Sequence, residues 1–365
     1  MKILLVQDYL RNGGTERQTV LLANAFAAAG LPVTLVTFRP GGRLESTVAP
    51  GVNRLALQGF DTRLDWYAPG LRRTVEVLEP DVILCMGRMA NCLAGRIVSG
   101  VEDRRPDTVV IATMRTGKRL PWLFRRSLQR VDHVIANSAA ARDVLLREHA
   151  VPADRIALIR NPLVFPPDRP AAALADDRST LRAREGVGPD TAVLLNAAMF
   201  RPEKNQAGLI QAAAALPATF EWQLWLAGDG PERSACVALA DRLGLAARVR
   251  FLGFQADPGP LYAAADVAVH ASRSESLSNF LIEAQAHGLP AVAFDARGIA
   301  ECFQPDVTGA VIAPGDTAAF AAAVVRFAGA DAAVRARARD YARETFSAPR
   351  QVQAHLDLFA KLTKL

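Results

Sequence analysis

The chain has 365 residues, half of them apolar and 22% charged. This excludes a disordered polymer and exceeds the roughly 250–300 residues that one core usually serves, so two domains are expected. The formal charge of +6 is unevenly shared: residues 1–170 hold 24 Lys/Arg against 16 Asp/Glu, and residues 171–365 hold 19 against 21. A basic N-terminal half suits an anionic partner there, a phosphorylated acceptor or a membrane surface. Nowhere do about 18 apolar residues run together, so no spanning helix is expected. The apolar run of "MKILLVQDYL" is too short for a secretory signal. Cys85, Cys92, Cys236 and Cys302 form no CxxC pair, which predicts reduced, buried thiols in a cytoplasmic protein.

In chain order, "KILLVQ" reads as a buried strand, "GGT" as a turn and "ERQTVLLANAFAAAG" as a helix. Thr15, three residues before Gln18, has capping-box spacing, and Gly30 closes the helix. The strands "PVTLVTF", "PDVILCMG", "DTVVIATM" and "DHVIANS" follow. Continuous β-branched runs, in place of alternation, argue for a parallel sheet covered on both faces. A Pro-, Asp- and Arg-rich stretch after Asn161 breaks this rhythm, and residues 166–190 read as linker and lead-in to a second domain. The alternation resumes in "AVLLNAAM", "EWQLWLAG", "RVRFLG", "ADVAVHAS", "PAVAF" and "GAVIA", and the C-terminal stretch is helical. The prediction is an α/β protein of two doubly wound Rossmann-like domains, residues 1–165 and 191–345, facing across a cleft. Residues 346–365 form a helix packing back on the first domain.

In such folds ligands bind beyond the carboxyl ends of the strands, so strand-to-helix loops hold the candidates. In "NGGTE", Gly13 and Gly14 allow close backbone approach to a phosphate or sugar, or simply a tight turn; no GxGxxG is present. In "MFRPEKNQ", Arg201 and Lys204 flank a proline where a helix starts, a place suited to a diphosphate or to a solvated pair. "SRSESLSNFLIEAQAHGLP" sets Glu275 in a loop and Glu283 inside the following helix, with Ser276 and Ser278 as cap candidates. Buried carboxylates need hydrogen-bond donors, and vicinal sugar hydroxyls supply them; the plainer reading is an exposed helix acid and a loop acid. His270 reads best as a core histidine, Tyr9 as packing or an acceptor contact, "GDGP" as a turn, and Asp266 as ordering its own loop.

These strings, from "GGTERQTVLLANAFAAAG" through "RPEKN", "GDGP", "FLGF" and "ESLSNFLIEAQAHGLPAVAFDARGIAE", resemble the GT4-type glycosyltransferases, retaining enzymes of the GT-B fold. The nearest look is to bacterial polysaccharide-assembling members. The resemblance implies that Glu275 holds donor-sugar hydroxyls and Glu283 the ribose, while Arg201 and Lys204 bind the diphosphate. Backbone near Phe254 would receive the base, and the amides of Leu277 and Ser278 the phosphate. Gly13 and Gly14 would close over the donor. Met199 stands where many relatives carry an arginine, leaving Arg201 to take over its charge. Arg115 or Thr116 stands where many carry an acceptor-side histidine, with Lys118 and Arg119 alongside. The absence of any D-x-D suits an enzyme needing no metal or cofactor, its substrates a nucleotide-sugar donor and a glycan or lipid-linked acceptor. UDP-N-acetylhexosamine or UDP-hexose is the favoured donor, with GDP-mannose second.

The segment 114–130, "MRTGKRLPWLFRRSLQR", carries no acid and centres on Trp122, Leu123 and Phe124. It suits peripheral contact with an anionic membrane at its inner face, or an amphipathic helix packed on the sheet. Nucleic acid is disfavoured for want of a recognition motif. Rival functions are a nucleotide-sugar epimerase of the same fold and a non-catalytic sugar-nucleotide-binding subunit.

Overall fold

The aliphatic runs become strands whose alternate residues enter different cores, one on each side of a sheet. In the first sheet Val6, Ile83, Val110 and Val134 enter one buried cluster, and Leu5, Leu84, Ile111 and Ile135 enter the other. The computed structural model describes residues 1–101, 107–165 and 170–363. It divides into two units, Met1–Pro162 with Ala348–Leu365, and Leu163–Ser347.

The first unit runs β1 (Ile3–Gln7), α1 (Gly14–Ala28), β2 (Val33–Thr37), β3 (Val52–Ala56), α2 (Leu71–Leu78), β4 (Val82–Cys85), α3 (Arg88–Val101), β5 (Val109–Met114), α4 (Trp122–Leu128), β6 (His133–Ala136), α5 (Ala139–His149) and β7 (Ile156–Leu158). Its seven strands pair in parallel in the order β3-β2-β1-β4-β5-β6-β7.

The second unit runs α6 (Ala171–Arg184), β8 (Ala192–Ala197), α7 (Gln206–Ala213), β9 (Trp222–Ala227), α8 (Arg233–Arg242), β10 (Val249–Gly253), α9 (Gly259–Ala264), β11 (Val267–His270), α10 (Asn279–Ala286), β12 (Ala291–Phe294), β13 (Gly309–Ile312), α11 (Thr317–Ala328) and α12 (Ala332–Phe346). Its sheet is also parallel, ordered β10-β9-β8-β11-β12-β13. The last helix, α13 (Ala348–Thr363), belongs to the first unit, where His355 and Phe359 meet Phe26 edge-on at 6.0 and 5.7 Å.

Two local expectations change. Thr15 does not cap α1: the cap position is Gly13, no side chain bonds there, and Thr15 lies in the first turn. Of the stretch 166–190, residues 166–169 lie outside the described residues, but most of the remainder is α6, a helix of the second unit. Its Leu181 enters the core, and Arg178 and Arg182 reach Asp266 at 2.6 and 3.1 Å. Asp266 also accepts from the Val193 amide at 2.8 Å, so it ties α6 to β8 instead of ordering only its own loop. All four cysteines are buried and unpaired. No single helix among the described residues is long and apolar enough to cross a membrane.

A buried carboxylate holding two arginines and a strand amide is costly to remove, because the cations stay behind unpaired. Asp266→Ala should lower unfolding stability by roughly 3 kcal/mol or more, read from urea midpoints. A change below about 1 kcal/mol would show the cluster to be a solvated surface pair.

Candidate active site

The order of the second sheet reverses beside β8: the chain builds outward through β9 and β10, then returns to place β11 on the other side. Loops leaving two adjacent strands in opposite directions open a crevice at their carboxyl ends, where ligands of such sheets bind. The loops after β8 and β11 are stitched together there. The Arg273 amide donates to the Glu203 carbonyl at 2.8 Å, and Asn205 Nδ2 donates to the Ala271 carbonyl at 3.2 Å. Lys204 closes a short 3₁₀ turn, Pro202–Lys204, and left-handed Asn205 separates it from α7. The lysine therefore stands ahead of the helix and not within its first turn.

This geometry brings Lys204 onto Glu275, whose Oε1 accepts a hydrogen bond from Nζ. His270 at the end of β11 places Nε2 3.4 Å from the same oxygen. Burial alone would push the Glu275 carboxyl upward, but His270 and Lys204 outweigh it and hold the group at about 2. At neutral pH it is an ionised acceptor and not an acid catalyst. Arg201 is exposed at the head of the same turn. Around this pair lie buried polar atoms with no hydrogen-bond partner: both His270 nitrogens, the hydroxyls of Ser272 and Ser274, and Gln206 Oε1. Such atoms are rare in a settled interior. Here they lie at the end of β11, in the loop after it and at the start of α7, where a polar ligand could satisfy them; others occur away from this place, at Gln18, Arg115 and His355 among them.

Glu283 is half-buried on α10, and the hydroxyl of Tyr262 on α9 donates to it at 2.9 Å. Tyr262 stacks on His287 at 4.6 Å, and burial pushes that imidazole down to about 4, so a neutral ring backs the tyrosine. Phe254 follows β10 and is 48% exposed. Its loop is drawn to the β8 side through the β9 loop: the Gly228 amide donates to the Gly253 carbonyl at 2.7 Å. A Cβ on Gly228 would stand 2.1 Å from the Ala198 carbonyl oxygen, and its φ is +136°. "GDGP" is thus a close-packing device for the loop carrying Arg201, more than a turn.

The helix-start amides differ from expectation. Ser278 caps α10 by accepting from the Leu281 amide at 3.4 Å, but its own N–H donates to Cys302 Sγ at 3.3 Å. That amide is already engaged, so the phosphate role the resemblance implied for the pair falls to the Leu277 amide. Tyr262, His287 and Cys302 carry no sequence signal of these contacts, since each meets its partner across 21–25 residues or through another loop.

In the first unit, Gly13 caps α1 and Gly14 is its first residue, at the carboxyl rim of the sheet. Arg115 is partly engaged: Nη1 donates to Asn161 Oδ1 at 2.6 Å, Nε and Nη2 are buried without a hydrogen-bond partner, and burial pushes the guanidinium down to about 10. Thr116 Oγ1 accepts from the Lys118 amide at 3.1 Å, and Lys118 and Arg119 are exposed. In the segment 114–130 the apolar centre is divided. Phe124 is core, whereas Trp122 is 60% exposed with Arg126 over its ring at 5.6 Å. Tyr9 packs beneath Arg39 at 4.0 Å and Arg11 at 5.2 Å.

Comparison with known proteins agrees with this geometry. The model described as Glycosyltransferase Family 4 matches residues 12–163, and Glycosyl transferases group 1 matches residues 191–329. A Rhizobium meliloti protein named lipopolysaccharide core biosynthesis glycosyltransferase LpsD is 30% identical over 98% of either chain. LpsE of the same organism is 36% identical, over 49% of this chain and 53% of its own length. Among solved structures, Anabaena HepE in complex with UDP superposes with a TM-score of 0.81 at 23% identity, over 99% of this chain and 100% of HepE. That likeness shows the GT-B fold, two doubly wound Rossmann-like domains. The chain belongs to the family 4, group 1 glycosyltransferases.

Proposed function

We propose that the protein transfers a hexose or N-acetylhexosamine from a UDP-linked donor to a glycan or lipid-linked acceptor, with retention and without a metal ion. The observation that carries this reading is the meeting of Lys204, Glu275 and exposed Arg201 at the β8–β11 crevice. The names of similar proteins support the rest: HepE was solved with UDP and with UDP-glucose, and LpsD is named for lipopolysaccharide core synthesis. A GDP-mannose donor is the second choice.

The chemistry follows from charge. Cleaving the anomeric C–O bond leaves positive charge on the sugar and negative charge on the diphosphate. Lys204 and Arg201 stabilise that negative charge as it grows, the role a metal ion plays in other transferases. Glu275, ionised at neutral pH, accepts hydrogen bonds from donor-sugar hydroxyls, and Glu283 accepts from the ribose. The departing phosphate oxygen takes the acceptor's proton on the same face, so no covalent nucleophile is needed. Lys204→Ala should lower kcat/KM with UDP-glucose or UDP-N-acetylglucosamine by roughly two orders of magnitude, the scale of losing one donor to a developing anion. Unimpaired turnover in that variant would remove the lysine from the mechanism.

Peripheral membrane contact is proposed for the exposed face of segment 114–130. Lys118, Arg119, Arg125, Arg126 and Arg130 are all exposed along it, as is Trp122, with Arg126 over the indole at 5.6 Å. Vesicles containing anionic lipid should carry the protein upward in a flotation gradient, and about 0.5 M salt should release it. Protein remaining at the bottom at low salt would contradict the contact.

A further inference from the structure

Lys204 is the hydrogen-bond partner of Glu275, and on the reading above the same lysine is needed by a diphosphate. Glu275 is 11% exposed with Lys204 in place, so when the lysine turns to the phosphate this largely buried carboxylate loses one of its two nitrogen partners, an unfavourable change unless another donor holds it. One other group stands ready. The His270 ring is 1% exposed, its Nε2 lies 3.4 Å from Glu275 Oε1, and neither ring nitrogen makes a hydrogen bond of ordinary geometry. Phe280 packs beside the ring, centroids 6.1 Å apart. Burial favours the neutral imidazole, against the pull of Glu275, so Nε2–H can donate without proton uptake.

Resting on that reading, we infer that His270 is the positioning residue of the donor-sugar acid: it holds the Glu275 carboxylate in place once Lys204 transfers to the diphosphate. The lysine then exchanges one anion for another, and the histidine keeps the first oriented toward the sugar hydroxyls. The titratable groups facing this carboxylate are His270, Lys204 and the Cys302 thiol beneath the start of α10, which burial keeps protonated.

Gln can place its Nε2 where the imidazole Nε2 stands; Asn is too short, so His270→Gln and His270→Asn separate the role from mere polarity. Carboxyl-carbon NMR would follow Glu275 through titration. On a Lys204→Ala background, His270→Asn should raise the Glu275 pKa by about one pH unit, the scale of a hydrogen bond to a charged group, and His270→Gln should raise it less. Calorimetry with UDP and UDP-glucose reads the consequence. With Lys204 intact, His270→Asn should leave UDP affinity within about twofold and weaken UDP-glucose about tenfold, with most of the loss restored in His270→Gln. An unmoved carboxyl titration, equal loss of UDP and UDP-glucose, or Gln performing no better than Asn would overturn the assignment. Failure of the native protein to bind UDP would instead overturn the donor reading, with the titration still deciding on His270.

Discussion

The ion pair between Lys204 and Glu275 is the interaction on which the site depends. Neither residue is worth its partial burial alone, since a carboxylate or ammonium withdrawn from water is costly until paired. Paired, they fix the loop after β8 against the loop after β11, with the Arg273–Glu203 and Asn205–Ala271 hydrogen bonds holding the backbones in register. His270 and this lysine together keep Glu275 ionised at about 2, and Arg201 is exposed at the head of the Pro202–Lys204 turn. Structure and chemistry thus share one contact: the cation that stabilises the resting loops is the one proposed to stabilise a leaving diphosphate.

The two sheets make a useful comparison, because each reverses its order beside its first strand. In the first unit the reversal lies between β1 and β4, and the protein's own Asp8 fills it. Asp8 accepts from the amides of Met89 and Ala90 at the start of α3, at 2.9 and 2.7 Å, and burial pushes its carboxyl up to about 6 despite those bonds. In the second unit the equivalent place holds a cation, an acid and a cluster of unsatisfied hydroxyl and imidazole atoms. The helix start is answered internally in the first unit, whereas in the second Ser272, Ser274 and His270 leave buried polar atoms without partners beside the Lys204–Glu275 pair.

Much of this was legible in the sequence because hydrophobic runs report burial directly. "KILLVQ", "AVLLNAAM" and "ADVAVHAS" became central parallel strands, and the helix opening at Ser278 was readable from cap chemistry. What failed involved partners distant in the chain. The Pro- and Arg-rich segment after residue 166 looked like linker because Asp266, which draws in Arg178 and Arg182, lies over 80 residues away. The bond from Arg115 to Asn161 was equally out of reach, because nothing near Arg115 in sequence announces that partner. In the segment 114–130 the basic residues after Thr116 are exposed, but the rotation of a short helix puts Phe124 in the core and Trp122 in solvent. His270 was a plausible core histidine, and it is buried; its 3.4 Å approach to Glu275 could only come from coordinates.

The most direct measurement is a crystal structure of the protein soaked with UDP-glucose. Lys204 Nζ should have left Glu275 and lie on the diphosphate, Arg201 should reach the same group, and Glu275 should accept from the glucose hydroxyls. A diphosphate bound elsewhere, with Lys204 still seated on Glu275, would contradict the central claim.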